Sequence, residues 1–194
     1  MIPEGPLVLA GMYQAKLTVN GRSYTAPFEV KMDPRVKVSA NALEQQIALE
    51  MKVIEEMAQS YAAAQEVRDL RSQLKELQTR IANVPKAKEI AGATKTLDEK
   101  AALLLGGPPQ YPPSPEPTLS ALHGEFASLL FSIDSSDTAP AAQFAAALDG
   151  YRQLLDKQLA NWSALKETDL PALNGLLRQH QIQAIVVSRK EPEQ

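Results

Sequence analysis

From Ala40 to Asn83 the chain contains neither glycine nor proline, and its apolar residues fall at helical spacing. Ile47, Met51, Ile54, Ala58 and Tyr61 recur at steps of four and three, and Val67, Leu70, Leu74, Leu77 and Ile81 repeat the pattern. The spacing predicts one long helix with an apolar stripe in each half. The two stripes are out of phase: the first would continue through Gln65 and Arg68, whereas the second uses Val67 and Leu70. A turn of the apolar face near Ala62 to Gln65 is therefore expected, with the halves meeting different partners. Acidic residues crowd the first half (Glu44, Glu50, Glu55, Glu56, Glu66) and basic residues the second (Arg68, Arg71, Lys75, Arg80), the order a single helix dipole favours. At 1.5 Å per residue such a helix is about 65 Å long and needs other elements to cover it.

The period changes before this helix. Tyr13 to Val19 alternates apolar and polar residues, Asn20-Gly21 is a two-residue turn signal, and Arg22 to Met32 alternates again. Folding the strands about that turn sets Leu17 opposite Tyr24, Ala15 opposite Ala26 and Tyr13 opposite Phe28 on one face, with Gln14 opposite Pro27. Proline cannot donate to a ladder, so the second strand is expected at an edge. A lone hairpin is marginal in water. It is expected either to lie on the helices or to belong with strands upstream of Met1.

After the long helix, Lys86 to Leu105 carries Ile90, Leu97, Ala101 and Leu104 and reads as a second, antiparallel helix. Gly106 to Pro117, with six prolines, reads as an extended crossover. Thr118 caps a third helix whose stripe is Leu119, Leu122, Phe126, Leu129 and Ile133. Pro140 opens a fourth, with Phe144, Leu148, Tyr151, Leu155, Trp162 and Leu165 at heptad positions and Gln158 as the exception. A short fifth helix is expected from Thr168 to about Gln179, then an apolar run from Ile182 to Val187 as a strand or a packed tail.

Composition narrows the function classes. The chain has 194 residues, 44% hydrophobic, 22% charged and 5% aromatic, with no cysteine and a formal net charge of −3. Disulfides, thiolate chemistry and Cys-ligated metals are excluded. The acidic balance argues against a nucleic-acid surface, and no apolar run approaches the ~18 residues of a membrane span. Met1 to Met12 lacks the basic opening and length of a signal peptide.

Candidate chemistry is sparse. His123 and His180 are the only histidines. His123 and Glu125 lie two apart on a helix and so point to different faces. His180 at a helix C-terminus suits the dipole. Glu55-Glu56 and Glu44 with Glu50 supply carboxylates of glycosidase type, but on a long helix with no aromatic cleft beside them. Gly106-Gly107 precedes prolines rather than a helix start and is not a phosphate loop. Trp162 falls on the apolar stripe and reads as core, its N–H needing a partner. No residue is assigned as catalytic, cofactor-binding or metal-ligating, and no cofactor is expected.

Two segments carry a resemblance. Gly11-Met12-Tyr13 through Leu17-Thr18-Val19-Asn20-Gly21-Arg22, then Phe28-Glu29-Val30-Lys31-Met32-Asp33-Pro34-Arg35, resembles the closing β-hairpin and V-x-x-D-P-R exit of secreted bacterial Asp-box (BNR-repeat) proteins of the sortilin-like, sialidase-like β-propeller type. Asp137-Thr138-Ala139-Pro140, Trp162 with Leu165, and Asp169-Leu170-Pro171-Ala172-Leu173-Asn174 with Leu177 resemble their helical tail. The resemblance implies a larger, exported protein with propellers and an immunoglobulin-like sandwich ending in this hairpin. No Asp-box motif occurs in this chain, so the family's glycosidase-like label transfers to no residue.

The expected architecture is mainly α: an antiparallel helical bundle with one very long helix over residues 36–194, preceded by a β-hairpin over residues 1–35 as the remnant of an immunoglobulin-like sandwich. The expected function is a non-catalytic C-terminal structural or interaction module of an exported β-propeller protein, outside the cytoplasm, bracing upstream propeller domains or joining subunits by self-association. Alternatives are a stand-alone helical adaptor binding a partner helix at the phase break, and a glycoside hydrolase.

Overall fold

The computed structural model describes residues 8–81, 88–106 and 116–187, and all structural statements below concern those residues. The protein is mainly helical, with an antiparallel two-stranded hairpin ahead of the helices. Strands β1 (Gly11–Val19) and β2 (Arg22–Val30) are followed by helices α1 (Ala40–Ile81), α2 (Lys88–Leu105), α3 (Leu119–Asp134) and α4 (Ala142–Ala164). A π-helical turn, Leu165–Asp169, leads without a break into α5 (Leu170–Gln179).

The hairpin forms in the register the alternation predicts, Tyr13 opposite Phe28, Gln14 opposite Pro27, Ala15 opposite Ala26 and Leu17 opposite Tyr24. Asn20 and Gly21 both adopt positive φ, 50° and 77°, the left-handed pair that a two-residue turn matched to strand twist requires. At the hairpin's exit, Asp33 accepts hydrogen bonds from the Arg35 backbone N–H and guanidinium, which folds Asp33-Pro34-Arg35 into a compact turn before α1. Ser39 then caps α1, its hydroxyl accepting from the Ala42 N–H at 3.2 Å.

Helix α1 spans 42 residues, about 63 Å at 1.5 Å each. Its buried face is one continuous stripe through Gln46, Leu49, Glu50, Val53, Glu56, Ser60, Ala63, Ala64, Val67, Leu70, Leu74, Leu77 and Ile81. This corrects the expected phase break. Met51 and Tyr61, assigned to a buried face from their spacing, are half exposed, and Ala58 is exposed. The inward positions of the first half mix the apolar Leu49 and Val53 with Gln46, Glu50, Glu56 and Ser60, three of which bond groups on other helices, so the spacing of Ile47, Met51, Ile54, Ala58 and Tyr61 picked a neighbouring stripe. Gln46 donates to the Ile133 carbonyl at 3.2 Å, and Arg152 reaches Glu56 at 2.7 Å.

Those cross-links also set chain direction. Gln46 meets Ile133, Ser60 meets His123 and Arg68 meets Ser120, so α3 runs back along α1. Glu56 meets Arg152 and Glu66 meets Trp162, so α4 runs alongside α1 in the same sense. Arg71 on α1 and Asp98 on α2 pair at 2.7 Å. The expected stripes of α2 and α3 are buried, with Thr94 added on α2, where its hydroxyl bonds the Ile90 carbonyl. On α4 Leu148, Leu155 and Trp162 are buried, as is Leu165 in the π turn that follows, while Phe144 and Tyr151 are half-buried. Gln158, the odd polar residue of the α4 heptads, is buried in register and its amide donates to Glu116.

The fifth helix follows the fourth without interruption. Pro171, which lacks an N–H, lies in the first turn of α5, and the preceding π turn, closed by the Leu170 N–H on the Leu165 carbonyl, carries the helix past it. Ile182 to Val187 is a packed tail rather than a strand. Asn174 brackets Ile185 with two hydrogen bonds, its amide donating to the Ile185 carbonyl and its oxygen accepting from the Ile185 N–H, while Gln73 does the same for Val186. The expected crossover at 106–117 lies mostly outside the described residues. Its first residue, Gly106, ends α2 at a φ of 96°.

Candidate interaction surface

The hairpin is the least satisfied element of the protein. Among the described residues only Val30, at the end of β2, comes up against a helix, and nearly every position of both strands is exposed. One face carries Tyr13, Ala15, Leu17 and Val19 with Tyr24, Ala26 and Phe28. Leu17 is 63% exposed, Tyr24 59% and Phe28 48%. Tyr13 and Phe28 rings pair at 5.9 Å, and the Tyr13 hydroxyl bonds the Leu9 carbonyl at 2.7 Å. These contacts hold the hairpin's root, where Leu9, Val30 and Met32 meet Leu43, Gln46 and Ile47 of α1 around a cavity of about 200 Å³. Beyond the root the apolar face meets solvent.

The two outer edges of the hairpin differ. A two-residue turn makes Val19 and Arg22 a hydrogen-bonded pair, and bonded and non-bonded pairs then alternate. The Thr18–Ser23 pair is accordingly non-bonded by backbone and close at the side chains, whose hydroxyls lie 3.0 Å apart. On β1 the outward N–H groups therefore belong to Met12, Gln14, Lys16 and Thr18, all able to donate. On β2 they belong to Ser23, Thr25 and Glu29, and Pro27 occupies the remaining position. Proline closes that edge to strand pairing, leaving β1's edge open.

Among the helices, polar residues at chemically suggestive positions are tied to one another. His123 contacts the Ser60 hydroxyl at 3.4 Å and the Met57 carbonyl at 3.3 Å, and its ring lies 5.9 Å from Tyr61. Glu125 instead accepts from the Tyr151 hydroxyl at 3.0 Å, so the two residues face different neighbours. The Glu125 carboxylate pushes the Tyr151 phenol's pKa upward. His180 caps the end of α5. Of the carboxylate pairs, Glu55 and Glu44 are exposed while Glu56 and Glu50 are buried. Burial raises the Glu56 pKa against the opposing pull of Arg152.

Glu50 is 1% exposed. Gln46 donates to its Oε1 at 3.0 Å, while Glu50 Oε2 and Gln46 Oε1 have no hydrogen-bond partner. Burial raises its pKa, and the negative charge of Asp134 adds to the shift. Glu50 lies off the stripe expected from Ile47, Met51 and Ile54, so its burial is not visible in the apolar spacing.

Trp162 is core and its N–H finds Glu66 at 2.8 Å. Lys166 bonds the same carboxylate at 2.9 Å and lies 5.1 Å from the Trp162 ring centroid. With Gln59, Ala63, Leu159 and Val187 these residues line a shallow cavity of about 370 Å³. The cluster ties α1 to α4. Among the described residues no group of three His, Asp or Glu side chains is placed to hold a metal ion, and no helix is long and apolar enough to cross a membrane. Comparison with protein-family models, curated proteins and solved structures found no match.

Proposed function

We propose that the protein is a non-catalytic joining module: an antiparallel helical bundle built on the long α1, presenting a β-hairpin that becomes part of a larger sheet. In the setting the resemblance implies, it is the C-terminal module of an exported β-propeller protein and joins subunits or braces neighbouring domains. The observation that carries this reading is the hairpin's uncovered apolar face, since Leu17, Tyr24 and Phe28 lie open to solvent on an element too small to be stable alone. The pairing of Glu56 with Arg152, of Glu66 with Trp162 and Lys166, and of Ser60 with His123 across the helices supports a scaffold role for the rest. The alternative, a helical adaptor binding a partner helix at Ala62 to Gln65, has less to support it, since Ala63 and Ala64 are buried among the helices and only Ala62 and Gln65 are exposed there.

An antibody raised against this chain, used to size the native polypeptide in the cells and medium of its source, tests the reading. A species far larger than 21.1 kDa is expected. A species of 21.1 kDa confined to the cytoplasm would overturn the exported-module setting.

A further inference from the structure

We infer that the open edge of β1 pairs with β1 of a second copy of this chain, about a two-fold axis at Ala15, to make a four-stranded antiparallel sheet in the order β2, β1, β1, β2. The inference deepens the joining reading by naming the partner.

Strand addition needs outward N–H and C=O groups in register. β1 supplies them at Met12, Gln14, Lys16 and Thr18, whereas β2 is interrupted at Pro27. Two copies joined through β1 satisfy both open edges at once and leave Pro27 on each outer edge, so the sheet closes at the dimer and does not propagate.

The strand is self-complementary in one register. Centring the axis on Ala15 overlaps the whole of β1, Gly11–Val19, with itself. Met12 then faces Thr18 and Gln14 faces Lys16 of the other copy as hydrogen-bonded pairs, giving roughly eight inter-strand bonds. Centring on Lys16 would oppose two like charges, and centring on Gln14 would leave Thr18 unpaired. On the apolar face Tyr13 meets Leu17 of the other copy, twice over, an aromatic–aliphatic pairing that adds to a cross-strand interface. Ala15 meets Ala15 at the axis as a non-hydrogen-bonded pair, where strands approach most closely and a small side chain fits.

The size of the contact fixes its strength. Nine residues at about 3.3 Å each make an edge roughly 30 Å long, which belongs with interfaces burying less than about 1,200 Å² in total. Such interfaces are reversible, so the dimer forms with rising concentration. Among the described residues no helix packs on β1 to obstruct its edge.

The chain contains no cysteine, so a single introduced thiol reports on this geometry without background. Ala15→Cys places two thiols on the axis, within the Cα separation a disulfide accepts. Ala26→Cys lies on the same face, one strand further from the axis in each copy, and is out of reach. Under mild oxidation Ala15→Cys is expected to form a covalent dimer at least about tenfold faster than Ala26→Cys. Equal rates would mean that the apolar faces stack, and would overturn the edge pairing. No dimer from either variant would overturn the second copy as partner. Light scattering of the unmodified chain from roughly 10 μM to roughly 1 mM, the range suited to so small an interface, should show its mass rising from 21.1 kDa. Gln14→Pro should hold it at the monomer while Thr25→Pro does not, since both N–H groups point away from the β1–β2 ladder. A mass insensitive to Gln14→Pro would also overturn the inference. These readings are independent of the size of the native polypeptide, so the failure of one account is distinct from the failure of the other.

Discussion

Glu50→Gln is expected to stabilise the protein at neutral pH and to flatten its pH dependence. The wild-type carboxyl is 1% exposed, with one oxygen bonded to Gln46 and the other without a partner. Burial and Asp134 raise its folded-state pKa above the ordinary 4.5. The folded protein therefore holds this proton at a pH where the unfolded chain has lost it, and unfolding free energy falls as pH rises through the window from 4.5 up to the raised value. Within the window the slope is at most about 1.4 kcal/mol per pH unit. Below it both states are protonated and the contribution is intact; above it both are ionised and the penalty is complete. An amide at position 50 cannot ionise, still accepts from Gln46 Nε2, and replaces the unpartnered buried carboxylate oxygen by a neutral N–H donor. Relief of an unsatisfied buried group is worth about 1–3 kcal/mol, or roughly 2–4 °C of melting temperature per kcal/mol for a chain of this size. Urea unfolding of both proteins from pH 4 to pH 8 reads this directly. The Glu56 carboxyl, also raised, contributes equally to both and cancels in the difference. Parallel curves for wild type and variant would refute the reasoning.

Other outcomes follow from the packing. Leu74→Asp puts an unpaired charge at a fully buried position of α1 and should cost about 3–5 kcal/mol in thermal unfolding, whereas the exposed Glu76→Gln should change little. Gly106→Ala should cost about 1 kcal/mol or more, because φ is 96° and a Cβ there would lie 2.9 Å from the Thr118 hydroxyl that caps α3. Phe131→Ser, on a side chain 78% exposed, should stay within about 0.5 kcal/mol.

The hairpin and the later helices were legible because each obeys one period with few exceptions. The turn residues Asn20-Gly21 set the strand register, the stripe of α3 matches the buried residues, and that of α4 matches them at Leu148, Leu155, Gln158 and Trp162. The first half of α1 was misread for a physical reason. Its inward face mixes Leu49 and Val53 with Gln46, Glu50, Glu56 and Ser60; the partners of Gln46, Glu56 and Ser60, namely Ile133, Arg152 and His123, lie about 60 to 100 residues away, and hydropathy carries no trace of such pairings. The π turn before Pro171 was also hidden, since proline in the sequence signals an interruption but not a helix that widens to pass it. The interaction surface was half legible. Pro27 marked an edge from the start, but the exposure of both hairpin faces depends on where the helices lie.

The central claim is that the helices form a self-sufficient scaffold while the hairpin depends on a partner. Amide hydrogen exchange of the dilute chain tests it most directly. The account predicts strong protection at Val67, Leu70, Leu74 and Leu77 of α1, and exchange at Ala15, Leu17, Tyr24 and Ala26 orders of magnitude faster. Hairpin amides as protected as those of α1, in a sample shown to be monomeric, would contradict it.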